Sequence, residues 1–101
     1  MQLRVFQHTE GKMAVEVSTP QLPDHEYRWL VPLIPQSELA SLPESSGDVV
    51  RVSHHDRKCF ALSMLIRTVP ANNALWKEFG VLNHEDSINV LNHIHDRLAY
   101  E

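Results

Sequence analysis

The first two-thirds of the chain alternate apolar and polar residues with a period of two, which is typical of β-strands. Residues 1–6 and 13–18 both follow this pattern, and Met13, Val15 and Val17 share one face of the second segment. The polar residues 9–12 separate the two segments and include Gly11, for which we expect a positive φ. The pattern therefore predicts a β-hairpin at the start of the chain.

Three more strands are predicted before residue 71. The segment 27–33 is rich in large apolar residues, and its Pro32 indicates an edge strand or a strand end, because proline has no N–H for a sheet ladder. A polar connection is predicted over residues 36–47, with one helical turn at 37–42. A strand over 49–53 and a turn at 55–58 follow. The fifth predicted strand has Phe60, Leu62, Met64 and Ile66 on one face and ends at Val69-Pro70, after which a loop from residue 71 carries Trp76 and Phe79.

The end of the chain changes to a helical period. Its apolar residues recur at spacings of three, three and four, as in an amphipathic helix, at Ile88, Leu91, Ile94 and Leu98. Asn83 is a suitable N-cap, and Asp86 stands three residues later, as in a capping box. The predicted fold class is mainly β with a C-terminal helix, in one domain spanning residues 1–101.

Composition excludes several classes of protein. At 101 residues and 43% hydrophobic content, the chain fits a single globular domain. One cysteine, Cys59, excludes an internal disulfide and a cysteine-based zinc site. We expect a cytoplasmic protein, because the N-terminus lacks the apolar run of a signal peptide and no stretch is long enough to span a membrane. A formal net charge of -4 disfavours broad binding to nucleic acid.

Candidate chemistry is sparse. Seven histidines are present, but His54 and His55 are adjacent in a turn, so we expect their side chains to diverge. His93 and His95 point about 200° apart on the predicted helix, and no pair has the four-residue spacing of helical metal ligands. Cys59 directly precedes a predicted apolar strand face, so we expect it to pack rather than react. Neither a metal nor another cofactor is expected.

The order of segments resembles the CcdB family of plasmid-addiction toxins along the whole chain. Met1-Gln-Leu-Arg-Val-Phe6 is similar to the family's opening strand, and Met13-Ala-Val-Glu-Val-Ser18 to its second strand. Arg28-Trp-Leu-Val-Pro-Leu33 resembles the family's basic, apolar, then Val/Ile-Pro-Leu segment. The stretch from Val49 through Ser63 to Val69-Pro70 resembles its central hairpin, and Leu82-Asn-His-Glu85 resembles the lead into its last helix.

The resemblance implies an SH3-like, partly open antiparallel barrel of the CcdB/MazF type that forms a homodimer. It also implies a non-enzymatic toxin of a type II toxin–antitoxin module, which serves plasmid maintenance, inhibits a bacterial DNA topoisomerase by binding the gyrase A subunit, and is controlled by a cognate antitoxin. No membrane partner is expected, and no sequence-specific DNA binding without the antitoxin.

Two groups of residues follow as candidate binding sites. By position, the resemblance places target binding at the helix and the C-terminus, with Asp86 and His95 near one face, and involves Asp86, His95, Leu98, Ala99, Tyr100 and Glu101. The local excess of positive charge between residues 51 and 67 fits an acidic antitoxin segment that folds on binding, with Arg51, His54, Arg57, Lys58 and Arg67 as the candidate contacts.

The C-terminus departs from the family pattern. Gyrase poisons of this family end in an aromatic or apolar residue, glycine and isoleucine, whereas this chain ends Leu98-Ala-Tyr-Glu101. Two alternatives therefore stay open. One is a relative without poison activity that still binds antitoxin. The other is a MazF-like endoribonuclease, whose phosphate-stabilising groups are to be sought among Arg28, His54, His55, Arg67 and Thr68.

Overall fold

A computed structural model describes residues 2–17, 27–41, 49–62 and 65–98. Its elements are β1 Arg4–His8, β2 Met13–Glu16, β3 Tyr27–Pro35, a 3-10 helix Gln36–Ser41, β4 Val49–His54, β5 Arg57–Leu62, β6 Arg67–Pro70, β7 Trp76–Val81 and α1 His84–Leu98. The strands form one antiparallel sheet in the order β4-β5-β3-β2-β1-β7, and β6 pairs with β3. The predicted fold class, mainly β with a C-terminal helix, is confirmed.

The N-terminal hairpin forms as predicted. β1 and β2 pair in antiparallel register, and Gly11 in the connecting turn has a φ of 92°. Val15 and Val17 lie on one side of the sheet and Ala14 on the other, since they belong to different apolar clusters. The alternation of apolar residues therefore correctly predicts which side of the sheet each residue occupies here.

β3 is the longest strand, and it explains the position of Pro32. One side of β3 pairs with β2, while the other pairs with β6 over residues 27–30 and with β5 over residues 33–35. The Val17 N–H donates to the Trp29 carbonyl at 2.8 Å, so alternate residues from 29 onwards bond to β2. The nitrogen of Pro32 consequently faces the gap between β6 and β5. Pro32 lies inside a central strand, not at an edge or end as predicted, because no ladder bond is required of it there.

The two faces of the sheet carry different apolar clusters. The inner face packs with α1 and with Leu82 just before it, and its buried residues are Leu3, Val5, Val15, Val17, Val31, Leu33, Val52, Cys59, Ala61, Leu82 and Val90. The outer face carries a smaller cluster of Phe6, Ala14 and Leu30, against which Val69 and Trp76 pack. The larger cluster is the main core of the domain.

The predictions from residue 55 onwards need correction. The turn comprises only His55 and Asp56, with φ values of 50° and 61°, so Arg57 and Lys58 already belong to β5. Two consecutive positive φ values are typical of a tight hairpin turn that matches the twist of its strands. β5 ends at Leu62, so Ile66 is not part of it; Met64 lies outside the described residues.

The predicted loop after residue 71 is in part a strand. Trp76 and Phe79 belong to β7, which pairs with the side of β1 that β2 leaves open. An unpaired strand edge exposes a row of backbone donors and acceptors, and pairing satisfies them. The sequence of β7 mixes charged and aromatic residues without clear alternation, and its register shifts at the level of Val5 and Phe6. The segment is recognised as a strand only from its pairing with β1, which is distant in the sequence.

Helix α1 begins at the predicted N-cap, but the side of the helix that faces the core differs from the predicted one. The Asn83 side chain accepts a hydrogen bond from the Asp86 N–H at 2.7 Å, which confirms the N-cap. Ser87 and Val90 are fully buried, whereas Ile88 is 37% exposed, so Ile88 does not face the core as predicted. The reason is a buried hydrogen bond in which the Leu3 N–H donates to the Ser87 hydroxyl at 2.9 Å and turns this side of the helix towards β1.

Side chains bring the two ends of the strand order together. The ring centroid of Phe79 in β7 lies 5.4 Å from that of His54 and 5.2 Å from that of His55, at the end of β4. The Ser53 N–H also donates to the Asp86 carboxylate at 2.9 Å, which links β4 to α1. Among the described residues the sheet is open in its backbone pairing, and β4 and β7 meet through side chains.

No helix in the described part of the chain is long and apolar enough to cross a membrane.

Candidate partner-binding site

The outer face contains an open groove of about 550 Å³. Its apolar side chains come from β2, β3, β6 and β7, so four strands of the sheet build it. Its lining residues are Glu10, Gly11, Lys12, Met13, Ala14, Leu30, Pro32, Leu33, Ile34, Pro35, Glu38, Arg67, Val69 and Trp76. A mainly apolar groove with a few charged groups is the usual form of a site for a small molecule or an extended peptide.

Trp76 is fixed in the groove by its neighbours. Its ring meets the His8 imidazole edge to face, with centroids 4.9 Å apart and planes at 70°. Trp76 also packs with Val69 against the outer cluster and stays only partly buried. A large aromatic side chain held in one orientation is typical of the residues that contribute most to binding a partner.

Next to the groove, Glu16 binds two arginines. The Arg4 guanidinium donates to Glu16 Oε1 through Nε at 3.0 Å and NH2 at 2.6 Å, and Arg28 donates to Oε2 at 3.3 Å. Both guanidinium groups lie over the Phe6 ring, at 5.4 Å and 4.7 Å from its centroid. Arg28 also donates to the Ala71 carbonyl at 3.3 Å. Glu78, opposite Phe6 on the outer face, also lies 4.0 Å from the Arg4 guanidinium, so the cluster contains two arginines and two glutamates.

The structure separates the five predicted antitoxin contacts. Arg67 lies opposite Leu30 and Arg51 opposite Phe60, so both are on the outer face. Lys58, two residues before Phe60 in β5, shares that face. His54 is buried with only 5% of its surface exposed, and Arg57 is its cross-strand partner at the end of the hairpin. Three of the five therefore share the face that contains the groove; antitoxin binding by any of them stays a prediction.

The predicted target-binding residues do not share one face of α1. Asp86 accepts hydrogen bonds from the Ser53 N–H and the Asn83 amide, at 2.9 and 3.0 Å. His95 lies nine residues later, about 180° around the helix, and its side chain is 83% exposed beside Asp96. Leu98 is the last residue of α1, and the predicted contacts Ala99, Tyr100 and Glu101 lie outside the described residues.

His54 and His55 converge instead of diverging. Their ring centroids are 4.1 Å apart with planes at 77°, and both Nε2 atoms face Gly80. The positive φ of His55 breaks the strand alternation and folds its ring back beside that of His54. Burial, and secondly the nearby His55, lower the pKa of His54, against a smaller opposing effect of the Phe79 carbonyl.

No metal site is assembled in the described part of the chain. Its His, Cys, Asp and Glu residues form no group of three or more that is able to hold a metal ion. Of the nuclease candidates, Arg28 and Arg67 share the outer face, Thr68 lies on the opposite one because it pairs with Trp29, and His54 and His55 lie against β7. Nuclease activity stays a prediction.

Cys59 is a packing residue, as predicted. It is 1% exposed within the inner cluster, and burial raises the pKa of its thiol, with a smaller opposing effect of Arg57. A buried thiol with a raised pKa is a poor nucleophile.

The groove itself was missed in the sequence. The sequence of β3 nevertheless indicates it, because this strand is apolar on both faces. Val31 and Leu33 point inward, and Leu30, Pro32 and Ile34 point outward. A strand that is apolar on both faces needs a cover on each, and α1 packs only on the inner one. No protein-family model matches the chain, and a search among curated proteins finds no match either.

Proposed function

We propose that this protein is a toxin of a type II toxin–antitoxin module that inhibits bacterial DNA gyrase, as its resemblance to the CcdB family implies. The observation that carries the proposal is the agreement between the resembling segments and the elements of the fold. Arg28 to Leu33 lies within the central strand β3, Val69-Pro70 ends β6, and Leu82 to Glu85 leads into α1. An antiparallel sheet whose end strands meet, followed by one helix, fits the partly open barrel of that family.

The groove on the outer face is the proposed site of the antitoxin. Its apolar lining suits the apolar side chains of an extended segment, and its charged lining residues are Lys12 and Arg67 together with Glu10 and Glu38. Arg51 and Lys58 lie on the same face of the sheet, as does the pair of arginines at Glu16. We therefore expect an acidic segment with apolar anchors, which is disordered when free and folds onto the toxin.

Charge reversal at the groove tests this assignment. Arg67→Glu places a negative charge at the groove without changing the buried cluster, since Arg67 is exposed. We expect it to weaken binding of the cognate antitoxin by about tenfold or more, because like charges brought together across an interface repel each other. Calorimetric titration measures the affinity.

Lys77→Glu is the matched control, because Lys77 is an exposed residue of β7 outside the groove lining and undergoes the same change of charge. Equal losses of affinity in the two variants would contradict the groove as the antitoxin site.

Growth after controlled expression tests the function. The chain is expressed in a normal host and in a host with a gyrase allele that resists CcdB poisoning. The proposal predicts growth arrest in the normal host only. Arrest in both hosts would point to another target and call for an RNA-cleavage assay, and arrest in neither would favour the relative without poison activity.

A further inference from the structure

The contact between β4 and β7 depends on two imidazole rings. His54 is the last residue of β4, and both His54 and His55 lie against the Phe79 ring. The Nε2 of His55 lies 3.2 Å from the Phe79 carbonyl oxygen, the distance of a hydrogen bond. Gly80 lets this approach happen, because an added Cβ there would meet the His54 Nε2 at 2.9 Å. The two imidazole rings thus join strands that share no ladder bond among the described residues.

The surroundings of His54 disfavour a positive charge. Its side chain is almost fully buried and its Nε2 atom has no hydrogen-bond partner, while the Phe79 carbonyl, which favours the charged form, has a smaller effect on the pKa than burial. Protonation would place a second donor in this buried position and bring it close to the His55 ring, 4.1 Å away between centroids. An uncompensated buried charge is strongly destabilising.

The neighbouring charged groups do not compensate for it. From β5, Arg57 lies opposite His54 and adds positive charge, and Cys59 is neutral because its thiol pKa is raised. From α1, Asp86 uses its Oδ2 for the Ser53 N–H and the Asn83 amide. Asp56 in the turn and, from β7, Lys77 and Glu78 are all exposed residues, and none of these acids forms an ion pair with either imidazole in the described part of the chain.

We propose that His54, packed against His55, forms a proton-operated latch, which holds the end of β4 against β7 while His54 is neutral and releases it when His54 is protonated. The latch does not depend on the proposed function. Release would also loosen the start of α1, because Asp86 connects that helix to Ser53, the residue before His54. The hairpin β4–β5 and the first turn of α1 would then become more open at low pH.

The sign of the pH dependence follows from the lowered pKa of His54. The unfolded chain binds a proton near pH 6.5, the ordinary value, whereas the folded chain binds it only at lower pH. The closed state therefore has its full stability above about pH 6.5 and loses stability as the pH falls from there towards the lowered value. Below the lowered pKa the loss is complete.

Hydrogen exchange of the Ser53 amide measures the latch directly, because that N–H donates to Asp86 only while β4 and α1 stay together. Exchange rates are corrected for the intrinsic effect of pH and compared at pH 7.5 and pH 5.0. In the wild-type chain we expect the protection of the Ser53 amide against exchange to fall by up to about tenfold per pH unit between about pH 6.5 and the lowered pKa of His54.

Two variants and a control decide the outcome. His55→Asn removes the second ring at a position whose φ of 50° asparagine tolerates, and His54→Gln replaces the buried ring by a neutral side chain. His54→Gln should reduce the pH dependence to less than about threefold, and His55→Asn should reduce it only in part, because burial of His54 remains. His95→Gln, on the exposed side of α1, should retain it. Wild-type protection that is unchanged at pH 5.0, or full pH dependence in His54→Gln, would overturn the latch.

Discussion

Ser87 decides how helix α1 meets the sheet. Its hydroxyl accepts a hydrogen bond from the Leu3 N–H at 2.9 Å and donates to the Asn83 carbonyl at 2.8 Å, while the residue is fully buried. A serine between Asp86 and Ile88 gives no sequence signal for burial, because serine is mostly exposed in proteins. The structure shows that a polar residue, and not Ile88, completes the buried side of the helix.

Replacement of this hydroxyl should destabilise the fold. Ser87→Ala leaves the buried Leu3 N–H without an acceptor, so we expect the free energy of unfolding to fall by about 1–3 kcal/mol. Urea unfolding followed by circular dichroism measures the change. Ser53→Ala is the control, because Ser53 is exposed and bonds to Asp86 through its backbone N–H, which alanine retains. A loss at Ser87 no larger than at Ser53 would show that the buried bond contributes little.

Gly80 offers a second test at a single position. Gly11 and Gly80 both have positive φ, at 92° and 127°, but only Gly80 has neighbours that a Cβ would meet. Both alanine variants strain the backbone, and Gly80→Ala must also displace His54, whose Nε2 would lie 2.9 Å away. We therefore expect Gly80→Ala to lose at least about 1 kcal/mol more unfolding free energy than Gly11→Ala. Equal losses in urea unfolding would contradict the close packing of the histidines.

The secondary-structure elements that the sequence predicts correctly are those whose signals are adjacent in the chain. The β1–β2 hairpin, β4 and the capped start of α1 all arise from alternation, turn residues and capping residues that are adjacent in the chain. β6 and β7 were missed because their partners, β3 and β1, are distant in the sequence. Pro32 was misread for the same reason, since the gap between β6 and β5 that accommodates it exists only in the assembled sheet.

The exposed side of α1 is where we expect the target to bind, given the proposed function. Ile88 is 37% exposed and shares this side with His95, because seven residues return within about 20° of the same direction. Ile88→Lys should weaken gyrase binding about tenfold or more by removing an apolar contact, with unchanged unfolding free energy. Asn89→Lys, about 100° away and also exposed, is the matched control. Equal effects on affinity would place the target site elsewhere.

In the molecule as a whole, the two faces of the sheet carry different groups of residues. The inner face and α1 hold the main core, and the outer face keeps the groove and most of the basic residues proposed to bind the antitoxin. The charge pattern identified Arg51, Lys58 and Arg67, but the sequence did not reveal that His54 is buried or that Leu30, Val69 and Trp76 form the groove. These placements depend on how seven strands curve until β4 meets β7, which no local pattern encodes.

Gyrase binding is tested most directly by titrating the purified chain against the purified gyrase A subunit. We expect saturable binding that Ile88→Lys weakens and Asn89→Lys leaves unchanged, despite the altered C-terminal sequence. Absence of binding by a chain that circular dichroism shows to be folded would contradict gyrase as the target.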